Sequence, residues 1–178
     1  MTKLSVKQKK TIYRRAWLAV AVILLSVIQN TDGWFPQVFG VRALLLIPAV
    51  TAISVFERDV AGIFYGLLAG SLWDVFAHGN NFNAMFLAVI GFACGTLINL
   101  IMRNNFITHL LLTGIASLIY CVGYWLWHYV IINTDMAFAM LFRYYIPGAV
   151  YTAVFSPFLF FLVKYIEDKF KTEQYFDE

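Results

Sequence analysis

The chain has 178 residues, of which 61% are hydrophobic and 13% charged, and its net charge is +3. A soluble domain is nearer half apolar and a quarter charged, so these figures exclude an ordinary water-soluble globule and point to a polytopic membrane protein. The charges cluster and leave long apolar runs between them, so membrane topology explains the positive excess better than an acidic partner or a nucleic acid does.

In chain order, the first feature is a basic stretch, residues 1–15, ahead of an apolar run. That order also suits a secretory signal, but no small-x-small cleavage site follows. The run ends Ser26-Val-Ile-Gln-Asn30 and is read as a retained first span. A crossing helix needs about 20 mainly apolar residues, and six candidates meet or approach this: 16–30, 41–56, 60–77, 82–102, 106–132 and 143–166. The predicted fold is all-α, a polytopic integral membrane protein with six transmembrane helices in one membrane domain over 1–178. Pro48 and Pro157 are expected to kink the second and sixth spans, whereas Pro147 falls near the start of the sixth, where proline is tolerated. Cys94 and Cys121 lie in apolar runs and read as small hydrophobes. The short tail 167–178 carries Phe170, Tyr175 and Phe176 and reads as an interfacial helix or a frayed end, the short helix being favoured.

The Lys and Arg residues orient these spans. With the N-terminus inside, Lys3, Lys7, Lys9, Lys10, Arg14, Arg15, Arg58, Arg103, Lys164, Lys169 and Lys171 all fall on the inner side. Only Arg42 and Arg143 fall outside. This bias places both termini in the cytoplasm and the chain in the cell membrane as a multi-pass protein.

The segment Gly62-Ile-Phe-Tyr-Gly66-Leu-Leu-Ala-Gly70-Ser-Leu-Trp-Asp74 places three glycines and an aspartate four residues apart. Positions at that spacing share one helix face, so Gly62, Gly66, Gly70 and Asp74 form a groove with a carboxylate at its end. Gly91, Gly95 and Asn99 repeat the spacing in the fourth span, and Gly148, Thr152 and Ser156 in the sixth. Small residues let helix backbones approach closely in lipid. Each stripe either packs within the chain or docks a partner helix, and the sequence does not say which.

Asp74 lies fifteen residues beyond Asp59, about 22 Å of helix, in the outer third of a hydrocarbon core about 30 Å thick. A charge there needs a partner or water. Arg42, His78 and Arg143 lie on the same side and form with Asp74 a predicted outer polar cluster. It is either a binding site for a partner or ligand, or an internal salt bridge that fixes helix register. Catalysis is not expected. Asp74, His78 and His128 fall short of a metal site with its supporting shell, and no Gly-rich phosphate loop is present. An intramembrane serine protease needs a deep serine and histidine on separate helices, and Ser71 has Asp74 and His78 only on its own. No cofactor is implied.

The stretch Gly66-Leu-Leu-Ala-Gly70-Ser-Leu-Trp-Asp74 resembles the G-x-x-x-G-L-L-x-D signature of MreD, the rod shape-determining membrane protein family of bacteria, although here the aspartate follows the Leu-Leu pair later. The basic start, six spans, proline-bearing second span and glycine-rich fourth span fit the same layout. The resemblance implies a six-helix bundle similar to the substrate-binding S subunits of energy-coupling-factor vitamin transporters. It implies a non-enzymatic scaffold of the elongation machinery that builds side-wall peptidoglycan and controls cell shape. The implied partners are MreC, a single-span protein, then the cell-wall synthases, and indirectly the actin-like MreB. The alternative is such an S subunit itself, with Trp34, Trp73, Trp125 or Trp127 stacking on a ligand. Those subunits resemble one another in an alanine-x-x-x-alanine pattern in the first span, which Ala16, Ala19 and Ala21 do not form.

Overall fold

The computed structural model describes residues 6–31, 33–34, 36–37, 40–76, 82–127 and 137–170. The secondary structure is helical: α1 (Val6–Asn30), α2 (Leu46–Phe76), α3 (Asn83–Leu100), α4 (Phe106–Trp125), α5 (Ala137–Met140) and α6 (Ile146–Phe170), with a π-helical turn at Leu141–Tyr145 between the last two. Four helical stretches among the described residues are long and apolar enough to cross a membrane: Gln8–Asn30, Asn83–Leu100, Phe106–Trp125 and Phe138–Phe170.

Several predicted boundaries move. α1 begins ten residues before the expected first span, because Lys, Gln and Arg are good helix formers and the basic stretch continues the helix. The second span was expected from residue 41, but 41–44 is non-helical and the helix starts at Leu46. The fifth was expected to reach 132; α4 ends at Trp125, and 128–136 lie outside the described residues. The sixth was expected from 143, and helical backbone begins at Ala137. Residues 167–170 continue α6 rather than starting a tail helix, and 171–178 lie outside the described residues.

The expected second and third spans are the two halves of α2. Arg58 breaks them apart, with φ 72° and ψ −170° inside an otherwise helical run. That backbone region is sparsely populated for any residue with a side chain. The halves double back on each other there: a side chain at Gly62 would strike the Ser54 hydroxyl, four residues from Arg58 on the other side.

Residues 46–55, the first half of α2, are buried without interruption. A helix buried all round is a core helix, and Leu46, Ile47, Val50 and Ile53 share one apolar cluster with Leu18 and Val22 of α1 and Leu159 and Val163 of α6. Pro48 does not kink this helix. It sits in the first turn, where an N–H has no helical acceptor in any case. Pro157 does lie inside α6. Pro147 has no N–H for the carbonyl of Arg143, and its ring crowds that carbonyl. The widened π-helical turn sits where this conflict falls.

Candidate functional site

The second half of α2 and α3 form the most intimate helix pair in the molecule. A side chain at Gly62 would collide with the backbone of Gly91, one at Gly66 with Leu87 and Ala88, and one at Gly70 with Asn83 and Ala84. From the other side, Gly95 meets the backbone of Arg58 and Asp59. Each step of four along α2 matches a step of four backward along α3, so the two helices run antiparallel with backbone against backbone. The glycine stripe is thus filled by the chain's own next helix.

Asp74 ends that stripe. Its carboxylate accepts the backbone N–H of Asn83 at 3.2 Å and of Ala84 at 3.0 Å. These are first-turn amides of α3, which have no acceptor inside their own helix, and the helix dipole favours a negative charge there. The predicted salt bridge of Asp74 to Arg42 or Arg143 is therefore replaced by a cap on α3. Arg42 meets Gln37: with the amide oxygen turned toward it, that oxygen accepts from Nε at 2.7 Å and Nη2 at 2.6 Å. The Arg143 guanidinium lies over the Tyr144 ring at 5.8 Å. His78 and His128 lie outside the described residues.

The network continues from the cap. Asn83 accepts a hydrogen bond from the Tyr120 hydroxyl at 2.8 Å. Trp73 stacks on Tyr120, with centroids 5.2 Å apart and planes at 27°. Tyr120 in turn stacks on Tyr124, and Tyr124 leans on Tyr145. Beside these rings is a cavity of about 440 Å³, which Arg42 and Leu44 also line. Trp125 packs against Phe138 and Trp127 against Phe82, so of the tryptophans proposed to stack on a ligand, Trp73 is the one on this wall.

The opposite end of the bundle holds a charged cluster that the sequence reading missed. Arg14 of α1 pairs with Glu57 of α2 at 2.6 Å and with Glu167 of α6 at 3.2 Å, and Arg15 approaches Glu57 at 3.9 Å. The Tyr65 hydroxyl donates to the Arg15 carbonyl at 2.8 Å. The Glu57 side chain is only 4% exposed. An uncompensated charge at that depth is strongly disfavoured, so Arg14 clasps three helices. The one available signal was that Glu57 and Glu167 are acids on the side that positive charge dominates.

A deep serine and histidine on separate helices do exist, which corrects the expectation above. The Ser156 hydroxyl of α6 is 2.9 Å from His109 Nε2 of α4, and both residues are fully buried. His109 stacks on Phe160, and its Nδ1 has no partner among the described residues. Nearby, Thr51 and Thr113 share a hydrogen bond of 2.8 Å between α2 and α4. These bonds tie helices together across the core. Cys94 and Cys121 are free and buried. No three potential metal ligands converge among the described residues.

The third stripe is also internal. Gly148 faces Val41, and Thr152 accepts the Leu44 N–H at 2.9 Å while donating to the Gly148 carbonyl. Many large apolar side chains face outward. A groove of about 420 Å³ runs between α1 and α6, bordered by Trp17, Val20, Leu24, Phe158, Leu162 and Tyr165. No known protein family, curated protein or solved structure matches this chain.

Proposed function

We propose that the chain is an MreD-like membrane scaffold of the bacterial elongation machinery, crossing the membrane six times with both termini in the cytoplasm. The crossings are α1, the two halves of α2, α3, α4 and α6. The Arg14 cluster then lies at the inner face and Asp74 at the outer. The positive-inside bias supports this orientation, and the doubling back at Arg58 is what would let α2 cross twice.

The observation that carries the reading is where the polar chemistry goes. Asp74 caps α3, Glu57 and Glu167 are clasped by Arg14, and His109 is bonded to Ser156. The large side chains left outward on the helices include Trp17, Leu24, Phe64, Val75, Phe158 and Phe161. Such a protein acts through helix contacts in the bilayer and performs no bond chemistry. The groove between α1 and α6 is where the single transmembrane helix of an MreC-like partner would lie, since the glycines of all three small-residue stripes already face other parts of the chain.

The test is affinity purification from the native membrane in mild detergent, with mass spectrometry. Recovery of an MreC-like single-span protein with cell-wall synthases, lost on Leu24→Arg in the groove, is the expected result. Recovery of paired ATPases with a coupling membrane protein would instead make the chain a transporter S subunit. The aromatic cavity is the observation favouring that second reading.

A further inference from the structure

We propose that Glu57 and Glu167 share a single proton, taken up from the water at their end of the bundle, and that this proton latches α1 and α6 onto α2. Such a proton site is a property of the bundle and does not depend on the scaffold reading.

The charges around the two acids do not balance without it. Their side chains are only 4% and 11% exposed, and one guanidinium serves both: Arg14 Nε lies 2.6 Å from Glu57 and Nη1 lies 3.2 Å from Glu167. Arg15 approaches Glu57 at 3.9 Å, from a side chain that is mostly exposed, where water and salt screen it. The Tyr65 hydroxyl donates to the Arg15 carbonyl. Asp168, beside Glu167 on α6, adds negative charge. Two ionised glutamates would therefore set two buried negative charges against one close positive one. Like charges held together away from water oppose double ionisation, so one carboxyl keeps its proton.

The contact between the acids points to the same state. Their side chains hydrogen-bond to each other. A carboxylate only accepts, whereas a protonated carboxyl donates through its O–H, so this bond needs one proton. The O–H of one acid donates to an oxygen of the other, and the pair carries the one negative charge that Arg14 balances. Apart from that mutual bond, Oε1 of each acid has no hydrogen-bond partner among the described residues, and neither has Arg14 Nε, whose approach to Glu57 is an ion pair. The proton belongs to the pair rather than to either acid.

The site joins three helices where the chain turns. Glu57 ends the first half of α2, next to the Arg58 break at φ 72°. Glu167 comes from α6 and Arg14 from α1. Loss of the proton would leave two carboxylates repelling each other across the contact of α2 with α6. Linkage gives the sign. Glutamate in an unfolded chain gives up its proton at about pH 4.3. Above that the folded protein holds one proton more than the unfolded chain, so stability falls as pH rises through release from the pair.

The experiment uses the full-length protein in a detergent without ester groups. Infrared spectra are compared in water and heavy water, because a protonated carboxyl has a carbonyl stretch that a carboxylate lacks and that moves on exchange. At neutral pH we expect one such carboxyl per chain, lost in Glu57→Gln and equally in Glu167→Gln, and kept in Asp168→Asn. From mildly acidic to mildly alkaline pH, the thermal midpoint of the unaltered protein should fall. Each single Gln variant should flatten that fall, and the two together should lower the midpoint throughout by leaving Arg14 unpaired. Absence of the band from the unaltered protein would overturn the proposal, and that measurement needs no variant to fold. A band that either single Gln variant retains, or a pH dependence that both leave unchanged, would overturn it equally.

Discussion

At Gly66 the backbone of α3 occupies the space that a side chain would need, and even one methyl group there collides with Leu87 and Ala88. Overpacking of this kind costs about 1–3 kcal/mol. Gly114 and Gly123 in α4 have nothing within contact distance of the same added atom, so alanine there gains about 0.5–1 kcal/mol of helix propensity. Thermal unfolding in detergent should therefore separate them: Gly66→Ala lowers the midpoint, while Gly114→Ala and Gly123→Ala leave it level or raise it. Asp74 acts through its two acceptor oxygens. Asp74→Ala removes a cap worth about 1 kcal/mol and lowers the midpoint, and Asp74→Asn, which keeps one acceptor, lowers it less. An Asp74→Ala protein as stable as the original would mean that the carboxylate does not hold α3.

Among the elements, the contrast lies between seams made of small residues and clasps made of polar ones. The α2–α3 seam sets backbone against backbone along its glycines, with the Asp74 cap as its side-chain bond at one end. α1 and α6 reach α2 through Arg14, Glu57 and Glu167, and α4 reaches α6 through His109 and Ser156. Removing one partner of a buried ionic cluster strands the others, at about 3 kcal/mol. Arg14→Met is thus expected to destabilise the bundle by that order, and the triple replacement Arg14→Met, Glu57→Gln, Glu167→Gln by clearly less, measured as midpoint shifts in one detergent. A triple variant no better than the single one would show that the carboxylates are not what Arg14 compensates. The Arg58 break is the other device at this scale. It turns one helix of 31 residues into two that double back, and it places Glu57 at the point where α1 and α6 converge.

For the whole molecule, the proposed six-crossing arrangement makes a topological prediction. In a Cys94→Ala, Cys121→Ala background, a membrane-impermeant maleimide should label Trp34→Cys in intact cells. It should reach Lys9→Cys and Arg103→Cys only after lysis. Labelling of Lys9→Cys in intact cells would invert the orientation. Much of this scale was legible in the sequence. The apolar runs predicted the helical class, and the spacing of Gly62, Gly66, Gly70 and Asp74 put them on one face. Boundaries slipped where helix propensity carried α1 into its basic stretch and where 41–44 stayed non-helical although Val41, Ala43 and Leu44 are apolar. The kink assigned to Pro48 failed because its position in the helix depended on that shifted start.

The sequence by itself determined which residues share a face, where charge is scarce, and that the chain is built of apolar helices, because these follow from local spacing and composition. Only the tertiary structure decided which face meets which. The glycine stripe took α3 rather than a partner, Asp74 took backbone amides rather than an arginine, and Arg14 found Glu57 and Glu167 far along the chain. The aromatic cavity likewise gathers residues from 40 to 148. Periodicity records the orientation of a side chain about its own helix axis and carries no record of the neighbour. That pairing is set by the competition among all faces for close packing and for compensation of buried charge.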